Sequence, residues 1–109
     1  MKLLVVGAAG QDKARFAQGY KDVLMDAHLA VRDMMKAGMS REDMLASLLS
    51  HEAVVCDEVG MGVVPVDAFE RIWREEVGRL CCELARRASS VVRVVCGIAQ
   101  TLKEEPEWK

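Results

Sequence analysis

The chain has 109 residues, the length of one small domain, and 51% of them are apolar, enough to build a core. A net charge of −2 leaves no basic footprint for a nucleic-acid partner. No apolar run is long enough to span a membrane, so a membrane role is not expected.

Met1-Lys2 ahead of Leu3 to Gly10 has the outline of a short export signal, but Leu3–Val6 reads better as a first buried strand. A cytoplasmic protein with free thiols at Cys56, Cys81, Cys82 and Cys96 is the expectation, since those cysteines lack zinc spacing. Gly7 to Asp12 reads as a turn. From Lys13 to Lys36 the spacing predicts one helix, with Phe16, Tyr20, Leu24, Ala27, Val31 and Met34 on a single apolar face. Gly38 is a helix stop. Ser40, with Asp43 three residues on, predicts the cap of a second helix reaching about Ser50.

Ala53–Asp57 is the second strand, followed by the glycine loop Glu58-Val-Gly-Met-Gly-Val-Val-Pro65. Gly60 and Gly62 permit backbone angles that let a ligand or another chain approach, and Pro65 holds Val64 extended. Asp67 predicts the cap of a long helix that buries Phe69, Ile72, Trp73, Val77, Leu80, Leu84 and Ala88. Gly78 inside it costs roughly 1 kcal/mol relative to alanine, which predicts close packing against a neighbouring backbone, of this chain or of another subunit. Val91–Cys96 is the third strand, and Thr101–Lys109 reads as a polar tail. The expectation is one α/β domain over residues 1–103 with a tail at 104–109. It has about three parallel strands, apolar throughout because both sheet faces are covered. The methionines at 25, 34, 35, 39 and 44 read as core or oligomer packing.

Ligands of parallel sheets bind beyond the carboxyl ends of the strands, where two candidate loops stand. Gly7-Ala8-Ala9-Gly10-Gln11-Asp12-Lys13-Ala14 follows the first strand, as a phosphate-binding G-x-x-x-x-G-K-S/T loop would. Its first glycine and its lysine are in register. Asp12 replaces the second glycine, and Ala14 replaces the magnesium-holding hydroxyl. Repulsion between an aspartate and a phosphate at about 4 Å is roughly 4 kcal/mol at intermediate dielectric. Two readings stand side by side: an anion site at Lys13 and the helix terminus, and a plain turn in which Asp12 caps the helix. Asp57 and Glu58 end an apolar strand and suit magnesium held through water, or an interface. His28 and His51 read as ordinary surface or partly buried histidines. No catalytic residue and no metal ligand is assigned.

Glu58 to Pro65, then Arg71-x-Trp73-Arg74-Glu75-x-x-Gly78-Arg79-Leu80, resembles the bifunctional adenosylcobinamide kinase/adenosylcobinamide-phosphate guanylyltransferases, which read NEVGxGIVP and RxFRDxxGRxNQ there. Val94–Ala99 through Leu102-Lys103 resembles that family's VVAGxPxxLK. The likeness is good over 53–103 and weak over 2–17. It implies a truncated RecA-like P-loop fold, with internal strands missing and sheet order 2-1-3, Leu3–Val6 in the centre. It implies ATP or GTP with magnesium, bound weakly or not at all, cobinamide as a second ligand, and a homo-oligomer, a trimer in the family. Gly7, Lys13, Glu58, Gly60, Gly62 and Arg74 are the implied ligand-binding residues. Arg71 and Arg79 also match. The family's guanylyl-accepting histidine segment has no counterpart here. Cys81 and Ala99 depart from the family's asparagine and proline. The resemblance, with those departures, thus implies a cobalamin-biosynthesis protein with impaired or lost phosphoryl transfer, or alternatively a non-catalytic assembly or binding subunit or a nucleotide- or phosphate-binding protein.

Overall fold

A computed structural model of the chain describes residues 1–59 and 67–105. Among these residues five strands form one mixed sheet: β1 Leu3–Gly7, β2 Val23–Leu24, β3 Ala53–Asp57, β4 Ser90–Val95 and β5 Ile98–Glu104. Their order is β2-β3-β1-β4-β5. β1 lies between β3 and β4 and is parallel to both, with Val5 opposite Val55 and Val92. The three long parallel strands therefore stand in the expected order, with Leu3–Val6 central. The expectation of about three all-parallel strands is corrected by β2 and by the antiparallel β5.

The β5 strand was missed because its residues read as a turn and a polar tail. Cys96 and Gly97 both have positive φ, 51° and 75°, which is what a two-residue I′ hairpin turn requires. Pairing with β4 satisfies a backbone that propensity left unassigned. Ile98 and Leu102 remain exposed on this edge strand.

Among the described residues three α-helices are formed: α1 Ala27–Lys36, α2 Arg41–Leu49 and α3 Ala68–Arg87. Ser40 caps α2 by accepting from the Asp43 amide at 3.1 Å, and Asp67 caps α3 by accepting from Phe69 and Glu70. Gly38 ends α1 at φ 78°. The Gly38 and Met39 amides donate back to Met35 and Met34, in the pattern of a Schellman motif.

The long helix expected from Lys13 to Lys36 is corrected to three pieces. A five-residue 3-10 turn, Lys13–Ala17, precedes β2 and then α1. The apparent stripe is two stripes on opposite faces of the sheet. Phe16, Ala17, Tyr20 and Val23 pack with Leu3, Val5, Ala53, Val55 and Val94. Leu24, Ala27, Val31 and Met34 pack with Leu4, Val54 and Cys56 on the other side. The chain rounds the sheet edge at β2, where consecutive side chains point to opposite faces. Gly19, at φ 93°, interrupts the helical path just before it.

One face of the sheet is thus covered by α1, α2 and α3, and the other by the Lys13–Tyr20 segment. Trp73, Val77, Leu80, Leu84 and Ala88 of α3 are buried as expected, but Ile72 is 56% exposed. Met44 is buried, and Met34, Met35 and Met39 pack against the core, while Met25 is exposed.

Candidate functional site

The carboxyl ends of β1 and β3 lie side by side, with Gly7 in register with Asp57. The Glu58 amide continues the pairing by donating to the Gly7 carbonyl at 2.9 Å. Gly7 is obligatory for packing: a Cβ there would stand 2.6 Å from the Val94 carbonyl oxygen. Its place in the loop is explained by β4, without any ligand.

Lys13 is buried, at 8% exposure. Its ammonium donates to the Ala8 carbonyl at 2.7 Å and pairs with Asp57 Oδ1 at 2.7 Å. The lysine expected to face an anion therefore points back into its own loop and onto the end of β3. Asp12 has a left-handed backbone, φ 62°, and its side chain caps nothing. The capping role expected of it is corrected: a capping side chain reaches the first amides from an extended backbone, and Asp12 is left-handed.

His28 joins the same cluster. It opens α1, is 7% exposed, and places Nε2 3.4 Å from Asp57 Oδ2. Its Nδ1 accepts from the Asp57 amide at 3.2 Å. An Nδ1 that accepts leaves the proton on Nε2, where it faces the Asp57 carboxylate. The Trp73 indole N–H donates to the His28 carbonyl at 2.8 Å, tying α3 to the start of α1. Asp57 thus collects Lys13 and His28 from two other elements. Its centrality was not legible in the sequence, because Lys13, His28 and Asp57 are far apart in the chain.

Asp26, His28 and Asp57 present donor atoms within 4.8 Å of one another. The set is poorly suited to a cation. His28 would have to give up its hydrogen bond from the Asp57 amide to free Nε2, and the Lys13 ammonium already neutralises Asp57. The arrangement is that of a buried structural ion pair buttressed by an imidazole.

Glu58 accepts from Arg93 Nε at 2.8 Å and from a second guanidinium nitrogen at 3.2 Å. This bidentate pair links the end of β3 to β4 across β1. Arg74 of α3 lines the cavity that Glu58 also borders. Among the described residues, that cavity holds about 330 Å³ between α3 and the helix-covered face of the sheet. Its lining is mostly apolar, including Val6, Val77, Gly78, Cys81, Val91 and Leu102, with Asp57, Glu58 and Arg74 as its charged members. Gly78 opens onto it: among the described residues a Cβ there would meet nothing within 4 Å, so the expected close backbone contact is absent among them. Arg71 and Arg79 are exposed on α3. Gly60, Gly62 and Pro65 lie outside the described residues. The structure brings Gly7, Lys13 and Glu58 together at the strand ends, with Arg74 on the cavity beside them.

The model of the cobinamide kinase / cobinamide phosphate guanyltransferase family matches residues 21–102, well over half of the chain. The chain belongs to that family. The matched span contains Asp57, Glu58, Arg74, Arg93 and the cavity lining apart from Leu4 and Val6, and it begins after the Gly7–Ala14 loop. No individually curated relative matches the chain. Membership in the cobinamide kinase family places the protein with cobalamin biosynthesis and with proteins that handle ATP or GTP. Among the described residues, no helix is long and apolar enough to cross a membrane.

Proposed function

We propose that this member of the cobinamide kinase family has lost phosphoryl transfer and serves as a binding or assembly subunit in cobalamin biosynthesis. One observation carries the reading: the Lys13 ammonium is buried and committed to Asp57 and to the Ala8 carbonyl, both at 2.7 Å. A phosphate-binding lysine must reach the β- and γ-phosphates, with backbone amides and a metal-holding hydroxyl beside it. Here Asp12 adds negative charge, Ala14 has no hydroxyl, and a 3-10 turn stands where a helix terminus would collect the anion. The residues of this loop do not fit a magnesium nucleotide.

The cavity beside Glu58 and Arg74 supports the binding role, and exposed Val95, Ile98 and Leu102 at the β4–β5 edge support an assembly role as a homo-oligomer. Titration calorimetry of the full chain with ATP and GTP, with and without magnesium, is expected to give no binding heat. A steady phosphoryl transfer to cobinamide that Lys13→Ala abolishes would refute the proposal. An anion site at Lys13 requires the Asp57 pair to open. Nucleotide binding by Asp57→Asn but not by the native chain would therefore show the ion pair to be what closes the loop.

A further inference from the structure

We propose that Cys56 and Cys81 form a redox pair, in which a peroxide oxidises Cys81 from the cavity and Cys56 closes a disulfide between β3 and α3. The pair does not depend on the nucleotide reading. The two sulfurs lie 3.7 Å apart, on the fourth residue of β3 and the facing surface of α3. A disulfide needs about 2.05 Å between sulfurs, so the gap to be closed is about 1.7 Å. Space for that approach exists on the α3 side. Cys81 lines the 330 Å³ cavity, and among the described residues nothing lies within 4 Å of a Cβ placed on Gly78, one turn earlier on α3.

The two thiols are not equivalent. Cys56 is 2% exposed, while Cys81 is half-buried and reachable through the cavity. When both are protonated, Cys81 donates to Cys56. When Cys81 ionises, the Cys56 S–H turns to stabilise the thiolate. That hydrogen bond holds Cys81 below the ordinary thiol range, against burial and the nearby Glu58 charge. The same contact and burial push Cys56 up. Attack therefore begins at Cys81, the sulfur that is both more readily ionised and more accessible.

The chemistry balances with hydrogen peroxide as oxidant. The Cys81 thiolate attacks one peroxide oxygen, the O–O bond breaks, and the departing hydroxide takes up a proton as water. The product is a Cys81 sulfenic acid, which no longer carries the charge that kept Cys56 protonated. Cys56 sulfur then attacks Cys81 sulfur and the S–O bond breaks. The hydroxide leaves with the Cys56 proton as a second water. Two thiols are oxidised by two electrons, and one peroxide is reduced to two waters. Cys82, next on the helix, also borders the cavity and is exposed, but the sulfur in contact with Cys56 is that of Cys81; Cys96 is exposed. The closed bond would pin α3 to the strand that carries Asp57 and Glu58.

The test treats the reduced full-length chain with hydrogen peroxide, then alkylates it and maps its peptides without reduction. Of the four cysteines, two free thiols are expected to remain in denaturant, with Cys56 and Cys81 linked and both thiols recovered on adding dithiothreitol. A variant carrying Cys82→Ser and Cys96→Ser, both at exposed sites, is expected to lose both of its remaining thiols to the same link. In Cys56→Ser, whose hydroxyl keeps a donor beside Cys81 but cannot close a disulfide, dimedone is expected to trap a Cys81 sulfenic acid that persists. Recovery of Cys56 and Cys81 as alkylated thiols after peroxide, or links made through Cys82 or Cys96 instead, would overturn the pair.

Discussion

Replacing Asp57 by asparagine removes the charge that accompanies Lys13 into the protein. The two groups are 2.7 Å apart, with side chains 8% and 21% exposed. At an effective dielectric of about 20 their attraction is about 6 kcal/mol, most of which offsets the desolvation of the lysine. Removing one partner of a buried pair costs about 3–5 kcal/mol. Asparagine keeps a carbonyl that can accept from Nζ, and position 57 is partly wet, so about 2–3 kcal/mol is expected for Asp57→Asn. In a domain of this size each kcal/mol moves Tm by about 4–8 °C, which makes the expected fall about 10–20 °C. Lys13→Met removes the buried charge from the other side. The double variant is expected to be more stable than Asp57→Asn alone, with a coupling of at least about 1 kcal/mol. Urea unfolding of the four proteins, followed by circular dichroism, measures the cycle. An Asp57→Asn change within about 0.5 kcal/mol of the native chain, together with no coupling, would refute the claim that Lys13 is buried as half of an ion pair.

Gly7→Ala must push β4 away, because the new Cβ meets the Val94 carbonyl at 2.6 Å; a loss of about 1–3 kcal/mol in urea unfolding is expected. Trp73→Phe keeps the ring buried but strips the donor from the His28 carbonyl, and should cost about 1–2 kcal/mol by the same measurement. Arg41 donates to both oxygens of Glu76, at 2.6 and 2.9 Å, and holds that carboxyl below its ordinary range. A carboxylate depressed in the folded state adds stability above its unfolded pKa, about 4.3, and loses it as pH falls through the folded value. Glu76→Gln should therefore flatten the acid limb of stability against pH, and urea midpoints at about pH 7 and about pH 3 check it.

The Ser40 and Asp67 caps and the three long strands were legible because each rests on short-range rules, while the strand order came from the family resemblance. Ser40 and Asp67 lie at fixed offsets from the amides they cap, and Val54-Val55-Cys56 can only be buried. The Lys13–Lys36 stretch misled because helical spacing does not distinguish one stripe from two half-stripes on opposite faces of a sheet. The candidate site was half legible. Gly7 and Lys13 stand at loop positions that can be counted, yet counting does not reveal that Val94 occupies the space before Gly7 or that Lys13 turns inward.

Sequence by itself determined the family and the class of the fold, because the Glu58–Leu80 wording and the apolar strands are local properties of the chain. It also showed the changes at Asp12 and Ala14, which are matters of residue identity. Only the tertiary structure decided what the surviving groups do. Asp57 meets Lys13 and His28, Glu58 meets Arg93, and Cys56 meets Cys81 because β1, β3, β4, α1 and α3 converge at one end of the sheet. The physical reason is burial: a charge or thiol held out of water is governed by the neighbour that folding brings to it, wherever that neighbour stands in the chain.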